Sequence, residues 1–511
     1  MQSTVELTGH DLTVADVEAV ARGDARVVLA PAALEQIEES RALIERVVAE
    51  RIPTYGVNTG FGRFVDVHIE PEQVTALQLN LLRSHACGVG EPFPVEVVRA
   101  ATLLRANALA KGTSGVRLET VQLLLDMLAA GVHPVVPSRG SLGASGDLAP
   151  LAHLGLVLVG EGRAEHGGRE LDGAAALEAA GLRPLELGAK EGLALINGTQ
   201  FMAAIGALVL ARGRRLAAVA DLAAAQTIEA VRGSRTPFAP ELQALRPHPG
   251  QVASAANLFR LLDDSQIVAS HRWCGRVQDA YSLRCSPQVH GAVRDALDYA
   301  ERVVAVELNA ATDNPLVLAA QEEVMSNGNF HGEPVAFALD MLKIALAELA
   351  NISERRTERM LNPSMSSGQP AFLTADGGLN SGFMIAQYVA ASLVSENKVL
   401  AHPASVDSIP TSAGQEDHVS MGATAAVHLW RVCDNVEHVL AVELLCGAQG
   451  LDHLAPLRPG PGVAALHAQV RELSAHLERD RQLAADIDGV AAAIRGGSLL
   501  AGVEAAAGPL L

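Results

Sequence analysis

Five stretches of this chain, roughly 199–230, 288–310, 333–359, 379–400 and 417–448, carry apolar residues around most of a helical circumference. Each far exceeds the average globular helix of about 11 to 12 residues. In the third stretch, Val335 to Leu339, Met341, Leu342 and Ile344 to Leu346 leave no continuous polar face. A helix that is apolar nearly all round must be buried, inside one bundle or between subunits. Composition points the same way. Hydrophobic residues make up 49% of the 511 residues while aromatics are only 3%. Ala and Leu have the best helix propensities, whereas strand-rich chains draw on aromatic and β-branched side chains. The expected fold is all-α, with an N-terminal loop-rich helical domain over 1–200. A long antiparallel helical bundle with a C-terminal helical region is expected over 201–511.

The connections between these helices hold the unusual residues. Residues 54–65, TYGVNTGFGRFV, place three glycines and an Asn between aromatics and read as a loop. Residues 134–150, PVVPSRGSLGASGDLAP, break the helical pattern again. Asp147 is placed to cap the helix that follows, with Pro150 in its first turn, where a missing amide hydrogen is tolerated. Residues 161–190 read as a mobile polar excursion of weak periodicity. No internal repeat is evident.

Charge and cysteine usage exclude several classes of function. A formal net charge of -19 opposes nucleic acid or an anionic membrane as partner. Cys87, Cys274, Cys285, Cys433 and Cys446 are scattered without a CxxC pair, which is neither a disulfide framework nor a zinc site. The N-terminus does not read as a signal peptide. The most apolar run, Phe201 to Ala211, ends at Arg212 and is too short to span a bilayer. A soluble cytoplasmic protein is expected.

The segment GSLGASGDLAP admits three readings. Gly140, Gly143 and Gly146 allow the sharp turns of an ordinary loop before a helix. A helix N-terminus also attracts phosphate, but the glycine spacing is not that of a P-loop and Lys is absent. The third reading is backbone cyclisation. Attack of the Gly146 amide nitrogen on the Ala144 carbonyl carbon closes a five-membered ring and loses water. Loss of the Ser145 hydroxyl then leaves 4-methylidene-imidazol-5-one. Gly146 offers an unhindered nitrogen, Ser145 a β-hydroxyl to eliminate, and Ala144 an uncrowded turn.

The surroundings favour the third reading. YGVNTGFG (55–62), RSHACGVGEP (83–92), GSLGASGDLAPLAH (140–153), EGLALINGTQ (191–200) and RPHPGQ (246–251) are followed by VQDAYSLRCSPQV (277–289), TDNPL (312–316), SNGNFHGEP (326–334) and SIPTSAGQEDHVSMG (408–422). In that order, from about Tyr55 to about Gly447, the chain resembles the aromatic amino acid ammonia-lyase family, and most closely its histidine branch. The related fumarase and aspartase superfamily shares the bundle without the Ala-Ser-Gly ring. The resemblance implies elimination of ammonia from L-histidine to trans-urocanate, the first step of histidine degradation. It implies a self-made ring with no external cofactor, and a homotetramer whose active sites are shared between subunits. The β-hydrogen of histidine is not acidic and an amine leaves poorly, and attachment of the amine to the ring methylene answers the second problem.

The resemblance also assigns roles. Tyr55 is the first choice for base or proton relay and Tyr281 the second, and the sequence does not decide between them. A phenol with pKa near 10 needs nearby positive charge to serve as a base at neutral pH. Gln278, Tyr281 and Arg284 follow a spacing of three, which on a helix gives one face, and Arg284 would clamp the substrate carboxylate. Asn197 would bind the substrate and support the ring, although a turn or cap role is the plain alternative. Phe330 would pack near the ring and exclude water. His85, in Ser84-His85, and Glu416 match the histidine branch. An imidazole pairs with both, whereas a buried carboxylate facing a benzene ring would be left unpaired. Asp417 and His418 resemble a metal pair without a third ligand at suitable spacing, so no metal is expected. The rivals are a tyrosine or phenylalanine ammonia-lyase, an aminomutase using the same ring, and a helical binding protein with an uncyclised loop.

Overall fold

The computed structural model describes residues 3–144 and 146–511. Long helices occupy Gln200–Ala230, Ser286–Glu307, Glu333–Leu361, Met384–Leu400 and Gly422–Asp452, close to the five apolar stretches of the sequence. Strands among the described residues have at most five residues and form four small sheets. The architecture is all-α. No single described helix is long and apolar enough to cross a membrane.

The chain divides into two compact units. The first is Met1–Ala211, Ala300–Asp340 and Pro403–Val427, and the second is Arg212–Tyr299, Met341–His402 and His428–Leu511. This interleaving differs from a single cut near residue 200. Four of the junctions fall inside the long helices beginning at Gln200, Ser286, Glu333 and Gly422.

In the first unit, Ser3–Leu7 pairs in parallel with Ala25–Leu29 across the helix Val14–Arg22. A reciprocal cap opens that helix: Asp16 N–H donates to Thr13 Oγ1 while Thr13 N–H donates to the Asp16 carboxylate. The helix Val95–Ala110 is buried from Ala100 to Ala110 on every side, Arg105 and Asn107 included. Asn107 is satisfied by the Gly9 amide and the Leu308 carbonyl. Residues 161–190 depart from the mobile excursion read in the sequence. Arg163–His166 and Arg169–Asp172 form an antiparallel hairpin, and the helix Gly173–Ala179 follows. Gly167 and Gly168, both at positive φ, make its turn.

The second unit buries ionic networks between its helices. Arg356 grips Glu443 with two parallel bonds, Nε to Oε1 at 2.5 Å and Nη2 to Oε2 at 2.8 Å, and Thr227 donates to the same carboxylate at 2.7 Å. Asp221 accepts from Ser254, Asn257, His290 and Arg294, all within 2.9 Å. Arg356 and Glu443 are both fully buried, so removing one partner strands the other charge. Arg356→Met is expected to lower stability by about 3–5 kcal/mol. The double substitution with Glu443→Leu should recover most of that loss. Denaturant midpoints measure both, and a loss below about 1 kcal/mol for the single change would contradict the assignment.

Candidate active site

The ring-forming segment lies in the first unit. Ala144 and Gly146 flank Ser145, which lies outside the described residues. Gly146 has φ +73° and pairs with Gly198 in an isolated parallel bridge. A Cβ at Gly146 would sit 2.1 Å from the Gly198 carbonyl oxygen, so any side chain there collides with fixed backbone. The amide of Asp147 donates to that same oxygen at 2.6 Å. On the other side, the Gly143 carbonyl accepts from the Gly332 amide at 3.0 Å and from Ser420 Oγ at 2.9 Å, and the Met421 amide donates to the Leu142 carbonyl. Ala144 packs in a small apolar cluster with Val419 and Met421. The loop is therefore held from both sides by distant segments.

Asp147 does not cap the helix Leu148–Leu158 with its side chain, although it occupies the N-cap position. Its carboxylate instead accepts from the Met202 amide at 2.9 Å, in the first turn of Gln200–Ala230, and from Ser141 Oγ at 3.2 Å. It thus caps a different helix. Complete burial raises its pKa to about 7, against the opposing pull of these donors.

Behind Gly198 lies a charged layer. Arg105 Nη1 donates to the carbonyls of Ala194 at 2.5 Å and Asn197 at 2.9 Å, at the buried C-terminal end of the helix Glu191–Ile196. Its Nε and Nη2 are buried with no hydrogen-bond partner, and burial lowers its pKa to about 10. Lys190 pairs with Asp313 at 2.5 Å, both buried. Asn197 sits at the C-cap of the same helix. Its Nδ2 donates to the Asn314 carbonyl at 3.4 Å, which orients the amide, and its Oδ1 is buried without a partner.

Tyr55, His85 and Glu416 gather in the same unit. The Glu416 carboxylate acts electrostatically on both Tyr55 and His85. Burial, then the Glu416 and Asp313 charges, raise the Tyr55 pKa, against the Gly62 amide that donates to its hydroxyl. Within this unit Tyr55 is a proton-bearing phenol, without the positive charge that a base at neutral pH needs. Burial lowers the His85 pKa, so the ring is neutral. Its Nδ1 lies 2.9 Å from the Leu81 carbonyl, which only accepts, so the proton sits on Nδ1 and Nε2 is the acceptor. Glu416 accepts from Thr411 Oγ1 at 2.8 Å. Phe330 is half-buried in the loop whose Gly332 docks on Gly143.

Gln278, Tyr281 and Arg284 belong to the second unit. The helix Tyr281–Arg284 has only four residues, and Gln278 precedes it in irregular chain, so the expected single helical face does not form. Gln278 and Arg284 nevertheless line one cavity of about 1380 Å³. The Arg284 guanidinium lies 4.9 Å from the Tyr281 ring centre, and Tyr281 is 72% exposed.

Sequence reading did not single out Arg105, Lys190, Ser141 or Ser420. For Arg105 a signal existed: a cation two residues before Asn107 in the mostly apolar stretch from Ala100 to Ala110. Asp147 carries a pH dependence. Its folded pKa lies above the unfolded carboxylate value near 3.9, so its stabilisation is full below that value and is lost as pH rises toward about 7. The gap in thermal midpoint between the native chain and Asp147→Asn is expected to shrink from pH about 5 to about 8. A gap independent of pH would contradict this.

A family model for aromatic amino acid lyases matches residues 12–472. A histidine ammonia-lyase of Gloeobacter violaceus is 60% identical over 504 residues, covering 99% of this chain and 98% of its own. The crystal structure of histidine ammonia-lyase from Trypanosoma cruzi is similar with a TM-score of 0.91 and 46% identity, covering 98% of this chain and 95% of that one. Tyrosine aminomutase from Streptomyces globisporus gives a TM-score of 0.93 at 40% identity, with 98% of each chain covered. The fold alone therefore does not separate lyase from mutase. By motif order, fold and extent of identity, the chain belongs to the aromatic amino acid lyase family.

Proposed function

We propose that this chain is a histidine ammonia-lyase, which removes ammonia from L-histidine to give trans-urocanate. The observation that carries the substrate is that the Glu416 carboxylate acts electrostatically on His85, whose ring burial keeps neutral. Glu416 accepts from an imidazole N–H, and His85 Nε2 offers a second acceptor because Nδ1–H is committed to Leu81. The Glu416 carboxylate suits the single N–H of a neutral substrate imidazole, and both acceptors are met when that ring is an imidazolium. A phenyl ring would offer neither group a donor.

The Ala144, Ser145 and Gly146 segment is the proposed source of a 4-methylidene-imidazol-5-one, and no external cofactor is invoked. The fit rests on the glycine-only approach at Gly146 and on the double-sided hold of the loop. The ring supplies an electrophilic methylidene for the substrate amine. The other roles fall to side chains. Asn197 Oδ1, a buried acceptor without a partner, suits a donor such as the substrate amine better than a carboxylate. Phe330 shields the loop from water. Tyr55, holding its proton, serves as relay, and acts as base only when a cation is brought against it. Arg284 is the clamp for the substrate carboxylate, with Gln278 beside it in the same cavity. Tyr281 is the second phenol for proton transfer.

We further propose a cytoplasmic homotetramer in which Gln278, Tyr281 and Arg284 are shared between subunits. Apolar side chains left exposed on the long helices support assembly: Phe337 at 52%, Ile385 at 56%, Tyr388 at 62% and Val399 at 65%. Light scattering should report four chains per particle, and a stable monomer with full activity would overturn the assembly.

Two kinetic tests follow from the substrate residues. Supplied separately with L-histidine, L-tyrosine and L-phenylalanine, the enzyme should release ammonia and a conjugated product from histidine alone. Turnover of tyrosine but not histidine would defeat the substrate assignment, and a β-amino acid product would make the enzyme a mutase. Glu416→Gln is expected to lower kcat/KM for histidine about 10- to 100-fold, the worth of one charge-assisted hydrogen bond. An unchanged rate would remove the role of Glu416.

A further inference from the structure

His331 and Glu333 meet His418 although more than eighty residues separate it from them in sequence. Glu333 opens the helix Glu333–Leu361, and His418 lies in the loop that carries Glu416. The two imidazole rings stack with planes 2° apart and centres 5.7 Å apart. One potential ligand atom from each of the three side chains lies within 4.8 Å of the others. His418 Nε2 is 4.0 Å from Glu333 Oε2, too far for a hydrogen bond. Glu333 Oε2 is buried and has no hydrogen-bond partner. His331 Nε2 lies 3.2 Å from the His418 carbonyl oxygen, so the backbone orients one ring nitrogen and the other remains a ligand.

Parallel imidazoles gain no hydrogen bond from each other, and a buried carboxylate oxygen without a donor is costly. A cation between the three answers both. We propose that His331, Glu333 and His418 form a three-ligand site for a divalent cation of the zinc class. Two imidazoles and a carboxylate are a borderline donor set, which suits Zn(II) or Co(II) better than Ca(II) or Mg(II). Metal–ligand distances of about 2.0–2.2 Å place tetrahedral ligand atoms roughly 3.3–3.6 Å apart. Small side-chain rotations close that gap, and His418, 69% exposed, has room on its solvent side to make them. Three protein ligands leave the remaining coordination to water.

The site ties residues 331–333 to residue 418. Phe330 and Glu416 flank these ligands in the chain, so an occupied site holds the two loops at a fixed spacing. The proposal does not depend on the lyase reading, because its test measures metal binding rather than turnover. Sequence reading found no third ligand for the Asp417–His418 pair because it looked nearby. The partners lie on an earlier loop, and Asp417 is not among them.

The test uses untagged, chelator-dialysed full-length protein with its thiols blocked by iodoacetamide, since Cys87 and Cys274 are exposed. Cobalt(II) alone is titrated and its visible d–d absorption followed. The expected result is saturation at a single equivalent per chain, with micromolar affinity or tighter, and displacement by Zn(II). Glu333→Gln and His418→Gln should each weaken binding about tenfold or more. Asp417→Asn should not, and circular dichroism should show all three folded. Absence of saturable absorption, or equal affinity in the native chain and both site variants, would overturn the site.

Discussion

The contact on which the site depends is the approach of two backbones at Gly146 and Gly198. No side chain fits at Gly146, because the Gly198 carbonyl oxygen already occupies that space. Gly198 is confined in turn, since a Cβ there would lie 2.4 Å from Arg105 Nη2 and from Gln200 Oε1. A close backbone crossing over a buried guanidinium is expensive to build. It persists because Arg105 fastens the carbonyls of Ala194 and Asn197, while Asp147 fastens the first turn of the helix that begins at Gln200. The Asn314 carbonyl sets the direction of the Asn197 amide and leaves its oxygen an unmet acceptor.

That scaffold carries polarity of two kinds. Around the loop the groups are backbone amides, Ser141, Ser420, the Lys190–Asp313 pair and the buried Arg105 guanidinium behind Gly198. At His85 and Glu416 the groups are proposed to accept from the substrate ring. The first kind holds the loop. In the proposed function the second kind selects the substrate, because a half-buried acceptor facing an apolar ring loses the donor that an imidazole N–H supplies. The similarity of a tyrosine aminomutase across 98% of the chain agrees with this division, since a shared scaffold leaves selection to a few side chains.

Much of this was legible in the sequence where a physical constraint acts locally. The long helices were readable because apolar residues all round a helix permit only burial, as at Val335–Leu346. The ring loop was readable from the glycine spacing together with distant motifs. Less legible was what depends on pairing across the chain. Asp147 stands where a cap should be, yet its carboxylate turns to Met202, fifty-odd residues on. Arg105 lies in a helix, where a cation usually reads as solvated surface, and only burial on every side shows otherwise. The spacing from Gln278 to Arg284 suggested one helical face, but the helix begins at Tyr281, after the irregular stretch that follows Gly275. Residues 161–190 looked too polar for order, whereas a hairpin needs only its two glycines and a short register.

The central claim is that Ala144, Ser145 and Gly146 become a ring. Mass spectrometry of the peptide spanning residues 140–153, released from the folded enzyme, tests it most directly. Cyclisation and loss of the Ser145 hydroxyl predict a peptide lighter by two waters than its sequence requires, with the Ser145→Ala chain showing no elimination from that side chain. A native peptide at its full unmodified mass, from enzyme that still releases ammonia from histidine, would contradict the account.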